Sequence, residues 1–239
     1  MAQSHPLFER ELRFAHRVNS RAALSDFLAS NANVAEGDTR WGDYRHAEVR
    51  ERAVVMAHPP SRRSDLKLAE WIDGVNDSGR AIKLDFKDPA AIAPALALLE
   101  GRMPGDRVVL NADFVRGPRA PKPKFDRRHL VQMAEGLPGA VVSIGSTTRP
   151  WSGRFTSEHT DSMLALAAAC SGAVTLALRL SIVEAAPGAI EPLIAAGLHI
   201  TIWNSGLSNP VTREQRDRLR ERFPDAWLDL SYAIESPNR

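Results

Sequence analysis

In the stretch Ala81-Ile82-Lys83-Leu84-Asp85-Phe86-Lys87, every second residue from Lys83 onward is charged. Successive side chains of an extended strand point to opposite faces, so Lys83, Asp85 and Lys87 share one face. The same parity joins Glu36 to Asp38, Asn111 to Asp113, and Ser143 to Gly145 and Thr147. It also joins Thr175 to Arg179, Thr201 to Trp203, and Asp229 to Ser231. If these parities face the inside of a closed parallel sheet, polar groups from most strands meet at one end of it. Active sites of (β/α)8 barrels sit at the C-terminal ends of the strands. A purely structural barrel would keep apolar residues there.

Working outward, short apolar runs alternate with helical patterns along the whole chain. Strands are expected near residues 12–16, 33–38, 81–86, 107–112, 140–145, 173–178, 199–203 and 227–231, with a further extended run at 53–57. Helices are expected at 21–30, 65–76, 89–100, 127–135, 157–171, 187–196 and 212–222. Ser157 can cap its helix, Gly172 and Gly197 follow helix ends, and Thr212 with Gln215 reads as a capping box. Eight strands alternating with helices predict a parallel sheet, and the size predicts a single α/β domain over residues 1–239, a (β/α)8 TIM barrel. A doubly wound open sheet competes, but the G-x-G-x-x-G fingerprint of its dinucleotide-binding members is missing. The basic stretch 116–124 follows a strand end and reads as a long loop on the catalytic face. With the loop 61–65 it is expected to set specificity, and its lysines and arginines hint at an anionic substrate.

Composition narrows the class. A chain of 239 residues buries about three quarters of its unfolded surface and needs no disulfide staples. The lone Cys170 sits in an apolar run, reads as a small core residue, and excludes an internal disulfide framework. A net charge of +2 is no nucleic-acid footprint, which needs clustering on one face. No membrane span and no signal peptide are visible, so a cytoplasmic location is expected.

The polar strand ends carry the chemistry. Glu36 and Asp38 share a face, and two bare carboxylates there repel unless a cation relieves them. Hard divalent cations prefer oxygen ligands, and Asp85 could supply a third; a salt-bridged rim is the plainer reading. His16 and His58 follow apolar runs and precede loops, which suits acid/base work by imidazole. His5, His46, His129 and His159 lie in polar surroundings and are expected at the surface, while His199 begins a strand and is expected to be structural. A zinc site would want tighter His/Cys spacing. Lys87 suits a phosphate or Asp85, and Lys83 shares its face. A Schiff-base aldolase through Lys83 or Lys87 is a rival use. Arg179 could clamp an anion and Trp203 could wall a pocket, with Asn111, Asp113, Thr147 and Thr148 as substrate or supporting contacts.

The series His16, Glu36-Gly37-Asp38, His58, Asp85-Phe86-Lys87 and Trp203 resembles the phospholipase-C-like phosphodiesterase superfamily, which includes glycerophosphodiester phosphodiesterases and the spider sphingomyelinase D toxins. A closer resemblance is to the menorin family. It is carried by residues 15–20, 56–60 with 64–66, 82–87, 110–113 and 143–148, and spans about residues 12 to 205. The resemblance implies a metal-dependent phosphodiesterase or phosphodiester lyase. Glu36, Asp38 and Asp85 would bind one divalent metal, with Mg²⁺ expected and Ca²⁺ or Mn²⁺ as alternatives. His16 and His58 would be the acid/base pair, and Lys87 would neutralise phosphodiester oxygens, on a small-molecule or lipid-derived substrate. Val18-Asn19-Ser20 and Pro59 depart from the glycerophosphodiesterase pattern of Gly and Asp at the corresponding points. A non-catalytic ligand- or partner-binding barrel of the menorin type is the alternative.

Overall fold

A computed structural model describes residues 4–149, 153–204 and 211–230. The strand Ala81–Phe86 of the opening stretch lies third in a ring of eight parallel strands. In chain order the ring is β1 (Phe14–Ala15), β2 (Val34–His46), β5 (Ala81–Phe86), β6 (Val108–Arg116), β7 (Val141–Thr147), β8 (Val174–Arg179), β9 (His199–Trp203) and β10 (Trp227–Asp229). Two further strands, β3 (Val49–Met56) and the short β4 (Arg63–Ser64), lie off this ring and pair with β2. Among the described residues no ladder joins β10 to β1, so the barrel is nearly closed. The Phe14 and Trp227 rings, 6.3 Å apart, face each other across that seam.

Helices cover the outside: α1 (Arg21–Ala29), α2 (Leu68–Asp77), α3 (Ile92–Leu99), α4 (Arg127–Gly136), α5 (Ser157–Ala167), α6 (Leu180–Ala185), α7 (Pro187–Ala195) and α8 (Arg213–Arg222). None is long and apolar enough to cross a membrane. Strand parity produces two separate apolar cores. Ile82, Leu84, Phe86, Leu110, Ile144, Leu176 and Ile202 point outward and pack with helical residues such as Trp71, Ile72 and Leu130. The opposite parity starts apolar at the lower end, where Phe14, Val34, Ala81, Val109, Val141 and Trp227 close on Leu7 and Leu12. Above that layer the same inward face turns polar. The (β/α)8 architecture thus follows from the alternation read in the sequence.

Several boundaries differ for physical reasons. β2 and β3 form a long antiparallel hairpin, pairing Thr39 with Met56 through to His46 with Val49. The expected strands stop at 38 and begin at 53, because residues 45–52 are exposed and mostly polar and residues 39–44, though largely buried, include Thr39, Arg40 and Asp43, so neither half carries an apolar strand pattern. The expected helix 157–171 ends at Ala167, and its cap is Thr156 rather than Ser157, with His159 closing the box. Thr212 does cap Gln215, but the Gln215 side chain turns to Glu184 at 2.9 Å instead of back to the cap. Helix α6, directly after β8, was not expected. The last strand ends at Asp229, and Ser231 lies outside the described residues.

His5 corrects a surface expectation. It is buried, its Nε2 donates to the Gly139 carbonyl at 2.8 Å, and its Nδ1 accepts from the Leu7 amide. His129 and His159 are half-buried and close capping boxes on α4 and α5. Cys170 is half-buried against the outer core, and burial pushes its thiol up to about 11.

Candidate active site at the mouth of the barrel

The polar half of the inward face opens into a cavity of about 640 Å³ at the C-terminal ends of the strands. Register builds its centre. Glu36 stands opposite Lys83 and Asp38 opposite Asp85, while Asn111 stands opposite Asp85 on the next strand. One oxygen from each of Glu36, Asp38 and Asp85 lies within 4.8 Å of the others. Glu36 and Asp38 are almost wholly buried, at 1% and 2% exposure.

Each carboxylate is held by donors. Glu36 Oε2 accepts from the Arg17 amide at 2.7 Å and faces His16 Nδ1 at 3.2 Å. Asn19 grips Asp38 twice: its Nδ2 donates to Oδ2 at 2.6 Å, and its Oδ1 accepts from the Asp38 amide at 2.8 Å. Asp38 Oδ2 also faces His58 Nδ1 at 3.2 Å. Asp85 accepts from Asn111 Nδ2 at 2.9 Å, and Ser143 Oγ donates to Asn111 Oδ1 at 2.7 Å. Lys87 Nζ pairs closely with Asp85 and lies 3.3 Å from Asp38.

A second chain of charge runs to the seam. Asp229 on β10 pairs closely with Lys83 and faces His16 Nδ1 at 3.3 Å. Arg17 Nη2 lies 3.4 Å from His58 Nε2. A guanidinium can only donate, and a carboxylate can only accept. These contacts therefore fit a neutral His58 with the proton on Nδ1, shared with Asp38, and the lone pair on Nε2. For His16 the two carboxylates fix the Nδ1 proton in the same way.

The charges set the titration. Burial raises Glu36 to about 6, against His16 and with the help of Asp38 and Asp229. Burial would lower His16, but Glu36 and Asp229 outweigh it and hold the imidazole at about 9. Burial would raise Asp38 and Asp229, yet His58 and Lys87 around the first, and Lys83 and His16 around the second, hold both below the usual carboxylate range. Burial raises Asp113 to about 7, a shift that Lys87 only partly offsets. Burial opposes protonation of Lys83 and Lys87, but Asp229 and Asp85 respectively push both above their ordinary values. Both are thus committed ammonium groups, the wrong state for the Schiff-base reading of Lys83 or Lys87.

The remaining expected residues also reach the cavity. Asp113, Arg179, Trp203 and Thr147 line it. Asp113 follows Asn111 inward, and a side chain on Gly145 would meet its Oδ1 at 2.6 Å. The Arg179 guanidinium lies 5.8 Å over the Trp203 ring. Thr147 spends its hydroxyl on the loop after β6, donating to the Pro121 carbonyl at 2.8 Å and accepting from the Gly117 amide. That loop does lie at the mouth, where Pro121, Lys122 and Lys124 line the cavity. Sequence reasoning left Asp229, Asn19 and Arg17 out of the site. Asp229 had a signal in its inward parity; Asn19 and Arg17 sit in a loop, where no period applies.

The three carboxylates suit a hard divalent cation: the donors are all oxygen, they converge within 4.8 Å of one another, and Glu36 and Asp38 are buried. The comparisons agree with this architecture. The menorin N-terminal domain model matches residues 9–230. Human Protein FAM151B is 32% identical over 143 residues, which cover 58% of this chain and 50% of that protein. The chain thus spans about half the length of that curated relative. A protein described as a glycerophosphodiester phosphodiesterase from Galdieria sulphuraria superposes with a TM-score of 0.61 at 12% identity, over 93% of this chain and 94% of that one. A glycerophosphodiester phosphodiesterase from Parabacteroides distasonis gives 0.57 at 10% identity, over 93% and 92%. A dihydropteroate synthase from Thermus thermophilus gives 0.54 at 16% identity, over 94% and 88%, so these likenesses speak to the fold alone.

Proposed function

The chain belongs to the menorin N-terminal domain family, and on the geometry of its barrel mouth we propose that it is a metal-dependent phosphodiesterase or phosphodiester lyase. One observation carries the reading. The Glu36, Asp38 and Asp85 oxygens converge within 4.8 Å, and a histidine faces two of them directly, His16 at Glu36 and His58 at Asp38. Fold likeness to glycerophosphodiester phosphodiesterases supports it.

A divalent cation on these carboxylates, with Mg²⁺ the expected ion, would polarise a phosphoryl oxygen and offset charge that develops on it. Lys87, anchored by Asp85 and Asp38, presents a fixed ammonium to the same oxygens. His58 Nε2, once Arg17 turns from it to the substrate, would take the proton of an attacking hydroxyl, with Asp38 at Nδ1 stabilising the imidazolium that forms. His16, cradled by Glu36 and Asp229, holds a proton for the departing oxygen. Water as nucleophile gives hydrolysis; a neighbouring substrate hydroxyl gives a cyclic phosphate.

The test is release of p-nitrophenol from bis(p-nitrophenyl) phosphate with Mg²⁺, Mn²⁺, Ca²⁺ or EDTA, beside the His16→Ala protein. Metal-dependent release that disappears in the variant supports the reading. No release with any metal, despite calorimetric metal binding, favours the non-catalytic binding barrel.

A further inference from the structure

The charges lining the cavity are sorted by depth. All four lining carboxylates, Glu36, Asp38, Asp85 and Asp113, belong to the inner cluster. Among the described residues, every charged lining residue outside that cluster is a cation: Arg17 after β1, Lys122 and Lys124 after β6, Arg149 after β7 and Arg179 at the end of β8. Among the described residues no carboxylate lies within ion-pair distance of Arg17, Lys122 or Lys124. Two of these cations reach over the inner cluster. Lys124 Nζ lies 3.5 Å from the Lys87 carbonyl, and Arg17 Nη2 lies 3.4 Å from His58 Nε2.

A phosphodiester carries one negative charge, and Lys87 with a divalent cation already meets it at the inner cluster. The outer cations then face whatever the phosphodiester is attached to. A quaternary ammonium such as choline would enter a ring of like charge. A cavity of about 640 Å³ suits a small ligand rather than a polymer.

Resting on the phosphodiesterase reading, we infer that the outer cations form a second anion subsite, and that the substrate is a small phosphodiester bearing a further phosphate on one of its alcohol groups. Lys122 and Lys124 grip that phosphate from the loop after β6, and Arg179 faces it from β8 over the Trp203 ring.

Calorimetry on the Mg²⁺-loaded full chain tests this with propyl phosphate, propane-1,3-diyl bisphosphate, phosphocholine and a thymidine hexanucleotide. A charge-assisted second phosphate contact should make the bisphosphate bind roughly tenfold more tightly than propyl phosphate. The Lys122→Gln/Lys124→Gln protein should lose most of that preference. Equal affinity for the two probes, a preference that survives in the double variant, or phosphocholine binding as tightly as the bisphosphate would each overturn the subsite. Tighter binding of the hexanucleotide would overturn the small-ligand assignment in favour of a nucleic acid. Bis(p-nitrophenyl) phosphate has no second anion, so its turnover reports on the inner cluster alone. Loss of that turnover with the bisphosphate preference intact would sink the hydrolytic reading and leave the subsite standing.

Discussion

At the lower end of the barrel, His199 stacks on Phe8 at 4.3 Å and packs against Trp227, and burial pulls its pKa down to about 4. At the mouth, His16 suffers the same desolvation, yet Glu36 and Asp229 hold it at about 9. Burial acts on both rings in one direction; the carboxylates decide the outcome at the mouth. The lower end is therefore neutral packing, plugged by Leu7 and His5. The mouth is a set of buried charges that need one another, and that arrangement is costly unless the charges serve a ligand.

The largest effect should separate the ends by function. His16→Ala removes an acid/base group, so turnover should fall by about 10²–10⁴-fold, while His199→Phe should leave it within severalfold. Steady-state rates on bis(p-nitrophenyl) phosphate decide this; equal losses in the two variants would mean that the contrast is one of folding only.

Next in size is the buried pair across the seam. Asp229→Asn leaves the Lys83 ammonium without its partner, so urea unfolding should show a loss of about 3–5 kcal/mol. The double replacement Lys83→Met/Asp229→Leu should recover most of it, because two charges then leave the interior together. A single-variant loss no larger than that of breaking the exposed Arg102–Asp73 pair would show that the mouth is not held by mutual charge.

The two histidines should also bend stability at opposite ends of the pH scale. His199 has a folded pKa of about 4 against 6.5 unfolded, so the unfolded chain takes up its proton first as pH falls. Stability should drop by up to about 3 kcal/mol between pH 6.5 and 4, and His199→Phe should flatten that limb. His16 is raised from 6.5 to about 9, so its contribution is complete below pH 6.5 and is lost as pH rises through 9. Thermal melts in EDTA, where no cation competes for Glu36, should show this alkaline loss vanishing in His16→Gln. Matching limbs in wild type and variants would remove the contrast.

How far the two ends could be read from sequence follows from the same physics. The mouth was legible where charges interrupt apolar strands, since period two places Glu36 with Asp38 and Lys83 with Asp85 and Lys87 on one face without any tertiary information. The barrel followed from the count of such strands. Asp229 shows the inward parity, but its place in the site depends on closure of the barrel, which brings it to His16 and Lys83 from the far end of the sequence. The plug escaped because a polar tail gives no sign that His5 will find the Gly139 carbonyl, 134 residues away. The β2–β3 hairpin escaped because its far half is exposed and its charges follow no buried face.

The smallest effect concerns Asn19, which lies in the loop after β1 where strand periodicity offers no guide. It touches no candidate substrate position; it clamps Asp38 through both side chain and backbone amide. Supporting contacts of this kind orient a ligand and keep it ionised, and their loss typically costs about 10–100-fold in metal affinity. Asn19→Ala should therefore weaken Mg²⁺ binding by that factor in calorimetry, and excess Mg²⁺ should restore turnover. Asp38→Asn, which removes the charged ligand itself, should not be rescued. If Asn19→Ala binds Mg²⁺ normally, the Asn19 clamp is packing of the kind found at the lower end, and the boundary between the two regions lies closer to the mouth than Asp38.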